Sequence, residues 1–306
     1  MELVDLERRP PGPDEVTVAV EGCGVCGSNL PVWQGRPWFD YPLAPGAPGH
    51  EAWGHVEEVG NDVDGLAVGD RVAMLADNAF AATVAVPATH VVALPAALAG
   101  APFPGEALGC GFNVAARSGF VAGQTVCVVG VGFIGAVVVA RAAAAGARVV
   151  AVSRRPFALE VARAMGASVT LSSDDADAVV EAVADLTDGR LCDVVVEAVG
   201  AQRPLDLAGR LTRVRGRLVI AGFHQDGART VDLQLWNWRG LDVVNAHERD
   251  PLVSLAGIVA AAEAVADGSF DPSLLYTHSY PLDRLGDAMD AMETRPDGFL
   301  KALVYP

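Results

Sequence analysis

Over its first hundred or so residues the chain alternates apolar and polar positions in short runs, such as Val16-Thr17-Val18-Ala19-Val20 and Thr83-Val84-Ala85-Val86, separated by Gly and Pro. Period-two alternation broken by turn residues predicts short half-buried strands, and helical periodicity is weak there. This part is therefore expected to be an antiparallel, β-rich domain. From about Gly119 the texture changes. A wholly buried strand, Thr125 to Val129, leads into a helix from Phe133 to Ala145. Strand 148–152, helix 156–165, strand 168–171, helix 175–186 and strands 193–197 and 217–220 continue the series. Short apolar strands separated by helices predict a parallel sheet covered on both faces, the α/β class. Beyond about Ala246 the alternation ends in helix 253–265 and a helix-and-strand stretch, 284–305, expected to return to the first domain. The expected division is 1–114 completed by 247–306, with 115–246 between them.

Composition narrows the function classes. A length of 306 residues suits two cores, and 51% hydrophobic with 20% charged residues is globular rather than disordered. A formal charge of -16 argues against nucleic acid and anionic membrane surfaces as partners, while leaving room for a local phosphate pocket. The opening residues, Met1 to Pro10, lack the apolar core of a signal peptide, and the most apolar stretch, 125–140, is too short to span a bilayer. Cysteines 23, 26, 110, 127 and 192 form an odd, scattered set with no disulfide framework, so a reducing cytoplasm is the expected compartment.

The second domain contains Gly130-Val131-Gly132-Phe133-Ile134-Gly135 between a buried strand and a helix. In that context the three glycines read as a dinucleotide fingerprint: a tight turn, close approach of a pyrophosphate, and helix–strand packing. The helix start adds free N–H groups and partial positive charge. At the end of the next strand, where a carboxylate would accept from the ribose of NAD, stands Ser153-Arg154-Arg155. Two guanidiniums facing a 2′-phosphate contribute on the order of 1.5–3 kcal/mol each before solvent screening, so NADP is the expected cofactor and NAD the alternative. Lys301, the only lysine, is placed with Phe133, Ile134 and these residues among the expected cofactor contacts.

The first domain carries Cys23-Gly24-Val25-Cys26-Gly27-Ser28-Asn29, then Gly49-His50-Glu51-Ala52-Trp53-Gly54, then Gly69-Asp70-Arg71-Val72, then Glu106-Ala107-Leu108-Gly109-Cys110. A thiolate, an imidazole and one or two carboxylates are what a catalytic zinc needs, with one position left open. Cys26, His50 and Glu106 are the ligand candidates, with Glu51 beside the metal. A redox role for Cys23 and Cys26 lacks the βαβ context that such pairs occupy, and Cys23 reads as a small buried hydrophobe.

In this order, and with the closing Phe299-Leu300-Lys301-Ala302-Leu303-Val304, these segments resemble the zinc-type medium-chain dehydrogenases/reductases over almost the whole chain. The resemblance implies a GroES-like catalytic domain and a Rossmann cofactor domain, doubly wound around a parallel sheet. It implies one catalytic zinc on Cys26 and His50, with Glu106 as third ligand in the manner of the polyol and sugar branch. Cys110 is the rival third ligand, four residues on and on the same helical face. Glu51 resembles the carboxylate that exchanges with solvent on the metal, and Ser28 the hydroxyl that holds the substrate's proton. No four-cysteine lobe is present, so no structural zinc is expected. Relatives carry Asp where Asn29 stands and often a relay histidine at the position of Pro31, and the chain starts without the family's first strand. The implied reaction is hydride exchange between NAD(P) and an alcohol or ketone. Asn245 to Arg249, where relatives run near the active cleft, suggests a hydroxylated or charged substrate, and Trp33, Trp38, Phe39 and Trp236-Asn237-Trp238 are candidate pocket aromatics. A homodimer or homotetramer, paired through a sheet edge near 241–245, is implied as well. A zinc-free enone or quinone reductase of the same fold and a catalytically silent NADPH-binding protein are the alternatives.

Overall fold

The computed structural model describes all residues from Met1 to Pro306, which form two compact units. Unit 1 is Met1–Cys110 with Arg249–Pro306, and unit 2 is Gly111–Glu248, against expected boundaries after 114 and 246. In chain order unit 1 begins with β1 (Glu15–Gly24), α1 (Leu30–Trp33), β2 (Glu51–Val59), β3 (Arg71–Met74), β4 (Thr83–Pro87) and β5 (Val91–Ala93). Helix α2 (Gly105–Ser118) contains the boundary between the units. Unit 2 holds β6 (Thr125–Val129), α3 (Phe133–Ala144), β7 (Arg148–Ser153), α4 (Pro156–Ala164), β8 (Val169–Ser172) and α5 (Ala176–Leu186). It continues with β9 (Cys192–Glu197), α6 (Gln202–Leu211), β10 (Thr212–Ile220), α7 (Leu233–Arg239) and β11 (Asp242–Asn245). The chain then completes unit 1 with α8 (Pro251–Ala266), β12 (His278–Pro281), α9 (Leu285–Thr294) and β13 (Ala302–Tyr305). No helix is long and apolar enough to cross a membrane.

Unit 1 is organised on β1. Its first half pairs antiparallel with β4 and its last two residues with β13, while β2 runs along its other side. The full sheet runs β12-β13-β1-β2-β3-β5, with β4 on β1. The alternating valines Val16, Val18 and Val20 enter one core with Val84, Val86, Met289 and Phe299, so the tail packs into the first domain as expected.

Unit 2 is a six-stranded sheet in the order β11-β10-β9-β6-β7-β8, every neighbouring pair parallel. Val126 to Val129, Val149 to Val152 and Val194 to Val196 are buried, as strands covered on both faces must be. Strand order reverses between β6 and β9, which makes their carboxyl ends the topological switch where such sheets bind ligands. Within unit 2, helices α6 and α7 have no counterpart in the sequence reading. Pro204 looks like a breaker, yet it sits in the first turn of α6, where its missing N–H costs nothing, and Leu205, Ala208 and Leu211 bury one face. The seven-residue α7 is set by its ends: Asp232 accepts from Leu235 N at 2.9 Å, and Gly240 stops it in a left-handed conformation. Trp236 and Trp238, read as pocket candidates, lie on this helix, with Trp238 exposed.

Asp193 ties the start of the sheet together, accepting from Thr125 N at 2.8 Å and from Arg213 Nε at 2.7 Å. Burial pushes its carboxyl up, but the Thr125 amide and Arg213 outweigh that and hold it below the usual range. A carboxyl depressed in the folded state stabilises above its unfolded pKa and loses that contribution as pH falls through the folded value. Asp193→Ala should therefore cost about 1–2 kcal/mol at neutral pH. Denaturant melts between pH 3 and 7 should show the difference from the parent shrinking at the acid end; a pH-independent difference would contradict this account.

Candidate metal and dinucleotide sites

Register alone brings the candidate donors together. Gly24, the last residue of β1, lies opposite Glu51, the first residue of β2, so Cys26 and His50 emerge side by side just beyond the paired strands. A ligand atom from each of Cys26, His50 and Glu51 falls within 4.8 Å of the other two. The approach needs Gly24, since a Cβ there would stand 1.9 Å from Glu51 Oε2.

The imidazole is oriented by the backbone. His50 Nδ1 is 2.8 Å from Pro48 O, which can only accept, so Nδ1 donates there and Nε2 is the nitrogen left to hold a cation, whether a proton or a metal. Asn29 supports this at one remove: it is buried, its Oδ1 accepts from Cys26 N at 2.9 Å, and its Nδ2 donates to Pro48 O at 3.1 Å. The amide that replaces the relatives' aspartate thus braces both neighbouring donors without charge. Ser28 Oγ lies 3.4 Å from His50 Nε2, on the donor side of the ring.

The donor set fits a cation. Burial disfavours a charged His50, yet Cys26, Glu51 and Glu106 outweigh burial and lift its pKa to about 10. A pocket that holds a proton this firmly is one whose field attracts positive charge, and sulfur, nitrogen and carboxylate oxygen are zinc's ligands. Glu106 is not among the three clustered donors: on α2, it accepts from Cys110 Sγ at 3.1 Å, and burial together with the Glu51 charge pushes its carboxyl up. Burial and the Glu106 charge also push the Cys110 thiol up. Cys23 is buried and its thiol points to Gly24 O, a packing residue as read.

Lys301, expected among the cofactor contacts, has a partner of its own in unit 1. It is buried in unit 1 immediately before β13, and its ammonium pairs with Glu51. Burial opposes its charge, but Glu51 and Cys26 raise its pKa nonetheless. No local pattern marks this partnership, because the two residues are 250 positions apart and meet only through the pairing of β2 and β13 with β1.

In unit 2 each fingerprint glycine has its own reason. Gly130 takes φ +101°, and a Cβ there would meet Val199 Cγ2 at 2.3 Å. A Cβ on Gly132 would meet nothing within 4 Å, which leaves open space before α3 for a phosphate. A Cβ on Gly135 would collide with Gly130 O at 2.0 Å. Phe133 and Ile134 form the first turn of α3, with Phe133 buried. Gly130 N donates to Val152 O, which sets the fingerprint beside the end of β7. There Ser153 is buried and accepts from Arg155 N, Arg154 is exposed, and Arg155 caps α4 and donates to Val131 O at 3.4 Å. Arg155 is thus on the fingerprint side of unit 2.

Two family profiles match the chain: "Alcohol dehydrogenase GroES-like domain" over residues 12–96 and "Zinc-binding dehydrogenase" over residues 134–250. The sorbitol dehydrogenase of Bacillus subtilis is 29% identical over 328 aligned positions, covering 96% of this chain and 90% of that one. The L-threonine 3-dehydrogenase of Pyrococcus abyssi is 30% identical, covering 73% of this chain and 72% of that one. A crystal structure from Sinorhizobium meliloti 1021, described as a zinc-binding dehydrogenase bound to NADP, superposes with a TM-score of 0.83 at 28% identity, over 97% of this chain and 94% of that one.

Lys301→Met strands the Glu51 carboxylate in the interior and should lower unfolding free energy by about 3–5 kcal/mol, the usual cost of removing one partner of a buried pair. Denaturant unfolding of the two proteins measures it, and a difference under about 1 kcal/mol would show that the pair contributes little.

Proposed function

The chain belongs to the zinc-type medium-chain dehydrogenase/reductase family, and from that premise we propose that it is a zinc-dependent oxidoreductase moving hydride between NAD(P) and an alcohol or ketone. The observation that carries the reading is the cluster of Cys26, His50 and Glu51, a donor set of zinc type with room for a further ligand. When bound, the metal supplies Lewis acidity to a substrate oxygen, and the nicotinamide ring gives or takes the hydride. The chain's own residues do the rest. Pro48 O keeps the lone pair of His50 Nε2 available, Cys26 and Glu51 bring negative charge, and Ser28 offers a hydroxyl next to His50 that can hold the substrate's proton. Glu106, held by Cys110, would be the fourth protein group of the proposed set, adding a carboxylate to the surroundings of the ion. One zinc, catalytic, is proposed, and the three donors argue against the metal-free reductase.

For the dinucleotide, Gly130, Gly132 and Gly135 would seat the pyrophosphate, and Ser153, Arg154 and Arg155 favour the 2′-phosphate of NADP over the bare ribose of NAD. The NADP bound by the Sinorhizobium meliloti protein supports this choice. A hydroxylated substrate follows from the polar run Asn245 to Arg249 and from the sorbitol dehydrogenase relative. The proposed assembly is a homodimer or homotetramer joined at β11, an edge strand with Val243 exposed, and the proposed compartment is the cytoplasm.

Elemental analysis of the purified protein should give about one zinc per chain, and Cys26→Ala should lose it. Protein purified without chelator that holds none would overturn the zinc assignment. In parallel, kcat/KM should favour NADP over NAD by about 10–100-fold, and Arg154→Ala with Arg155→Ala should erase most of that ratio. A preference for NAD in the unaltered chain would sink the cofactor assignment.

A further inference from the structure

Three loops meet at the carboxyl ends of β6, β9 and β10. Gly130 abuts Val199, and a Cβ on Gly222 would lie 2.1 Å from Gly200 N, so the loops after β9 and β10 touch backbone to backbone. Beneath them Glu197 closes β9 with a fully buried side chain. Its Oε1 accepts from Val199 N and Gly200 N, each at 2.8 Å, and its Oε2 accepts from His224 Nε2 at 3.0 Å. The ring's protonation follows from its other neighbour. Arg229 Nε, a donor only, lies 3.0 Å from His224 Nδ1, so Nδ1 accepts and Nε2 carries the proton given to Glu197. Arg229 also donates to Gly200 O at 2.9 Å and pairs with Asp226. One carboxylate, one imidazole and one guanidinium therefore fasten the loop after β9 to the loop after β10. The strands themselves do not require it, since β9 and β10 are already joined by their own parallel ladder.

On the locked backbone two apolar side chains remain open: Val199 is 45% and Phe223 39% exposed. The Phe223 ring lies 6.3 Å from that of His247, just beyond β11. A doubly wound sheet spreads a dinucleotide across its switch point, one mononucleotide to each half. The fingerprint and Ser153 to Arg155 belong to the adenosine half, so the loops after β9 and β10 face the other. We propose that Glu197, His224 and Arg229 are positioning residues that hold Val199 and Phe223 as a preset apolar platform for the nicotinamide half of the cofactor. The inference rests on the dinucleotide reading above. It assigns His224 a place in hydride transfer through the loops it fastens.

The test compares the whole cofactor with its adenosine half. Binding of NADPH and of 2′,5′-ADP is measured for the parent chain, His224→Leu, His224→Gln and Arg229→Met, with nicotinamide fluorescence as a second signal. NADH and 5′-AMP replace the pair if the chain prefers NAD. His224→Leu should weaken NADPH about tenfold and lose the fluorescence change on binding, while 2′,5′-ADP stays within about twofold. His224→Gln, which keeps an N–H for Glu197, should recover most of the affinity. If His224→Leu does not fold, Arg229→Met carries the same comparison, because Glu197 keeps its two backbone donors. Equal weakening of both ligands, or unchanged NADPH binding, would overturn the clamp alone. A parent chain that binds neither ligand would overturn the dinucleotide reading and the clamp with it.

Discussion

Unit 1 depends on the buried ion pair between Glu51 and Lys301. Glu51 opens β2 and Lys301 precedes β13, and the two strands flank the last residue of β1. A lone carboxylate at this depth would be paid for by several kcal/mol or be neutralised, so the tail's return is what permits a charged Glu51 beside Cys26 and His50. The lysine arrives from the far end of the chain because β13 pairs with Cys23 and Gly24 and Val25 N donates to Ala302 O at 3.0 Å. The candidate metal donors are thus set by sheet register, with the charge balance supplied by the last strand.

Unit 2 adds a steric constraint at its switch point. Gly130, Gly135, Gly200 and Gly222 each stand where a Cβ would strike a neighbouring loop or turn at 2.0–2.5 Å. Such contacts bring backbone amides close together at the switch point, and they leave Gly132 facing open space. The same crowding explains why the polar groups there are so fully satisfied: an anionic Glu197 beneath close-packed loops has no water to turn to and takes three protein donors instead.

What could be read from the sequence was whatever is local. The run Thr125 to Val129, the three glycines after it and the helix from Phe133 are neighbours in the chain, and the strand reproduces its expected limits. Cys26, His50 and Glu51 could be named because sulfur, nitrogen and oxygen ligands are few and sit in glycine-rich turns. Partnerships at long range could not be. Nothing near Lys301 announces Glu51. Pro48 O as the orienting acceptor for His50 is invisible because a backbone carbonyl has no residue type. Helix α6 was hidden by Pro204, whose position in the first turn matters more than its identity.

Asn29 shows how far residue type alone can mislead. Read against relatives with aspartate, it suggests a weakened site, since an amide brings no charge to the histidine behind the metal. In the fold His50 Nδ1 is held by Pro48 O, and Asn29 binds this carbonyl with one end and the Cys26 amide with the other. An aspartate in the same place could accept from Cys26 N but would face Pro48 O as a second acceptor, with no proton between them. The amide is therefore matched to this arrangement because it both donates and accepts. The negative charge it lacks is already present in Glu51 and Glu106, and a further buried carboxylate would carry desolvation cost without a cation of its own.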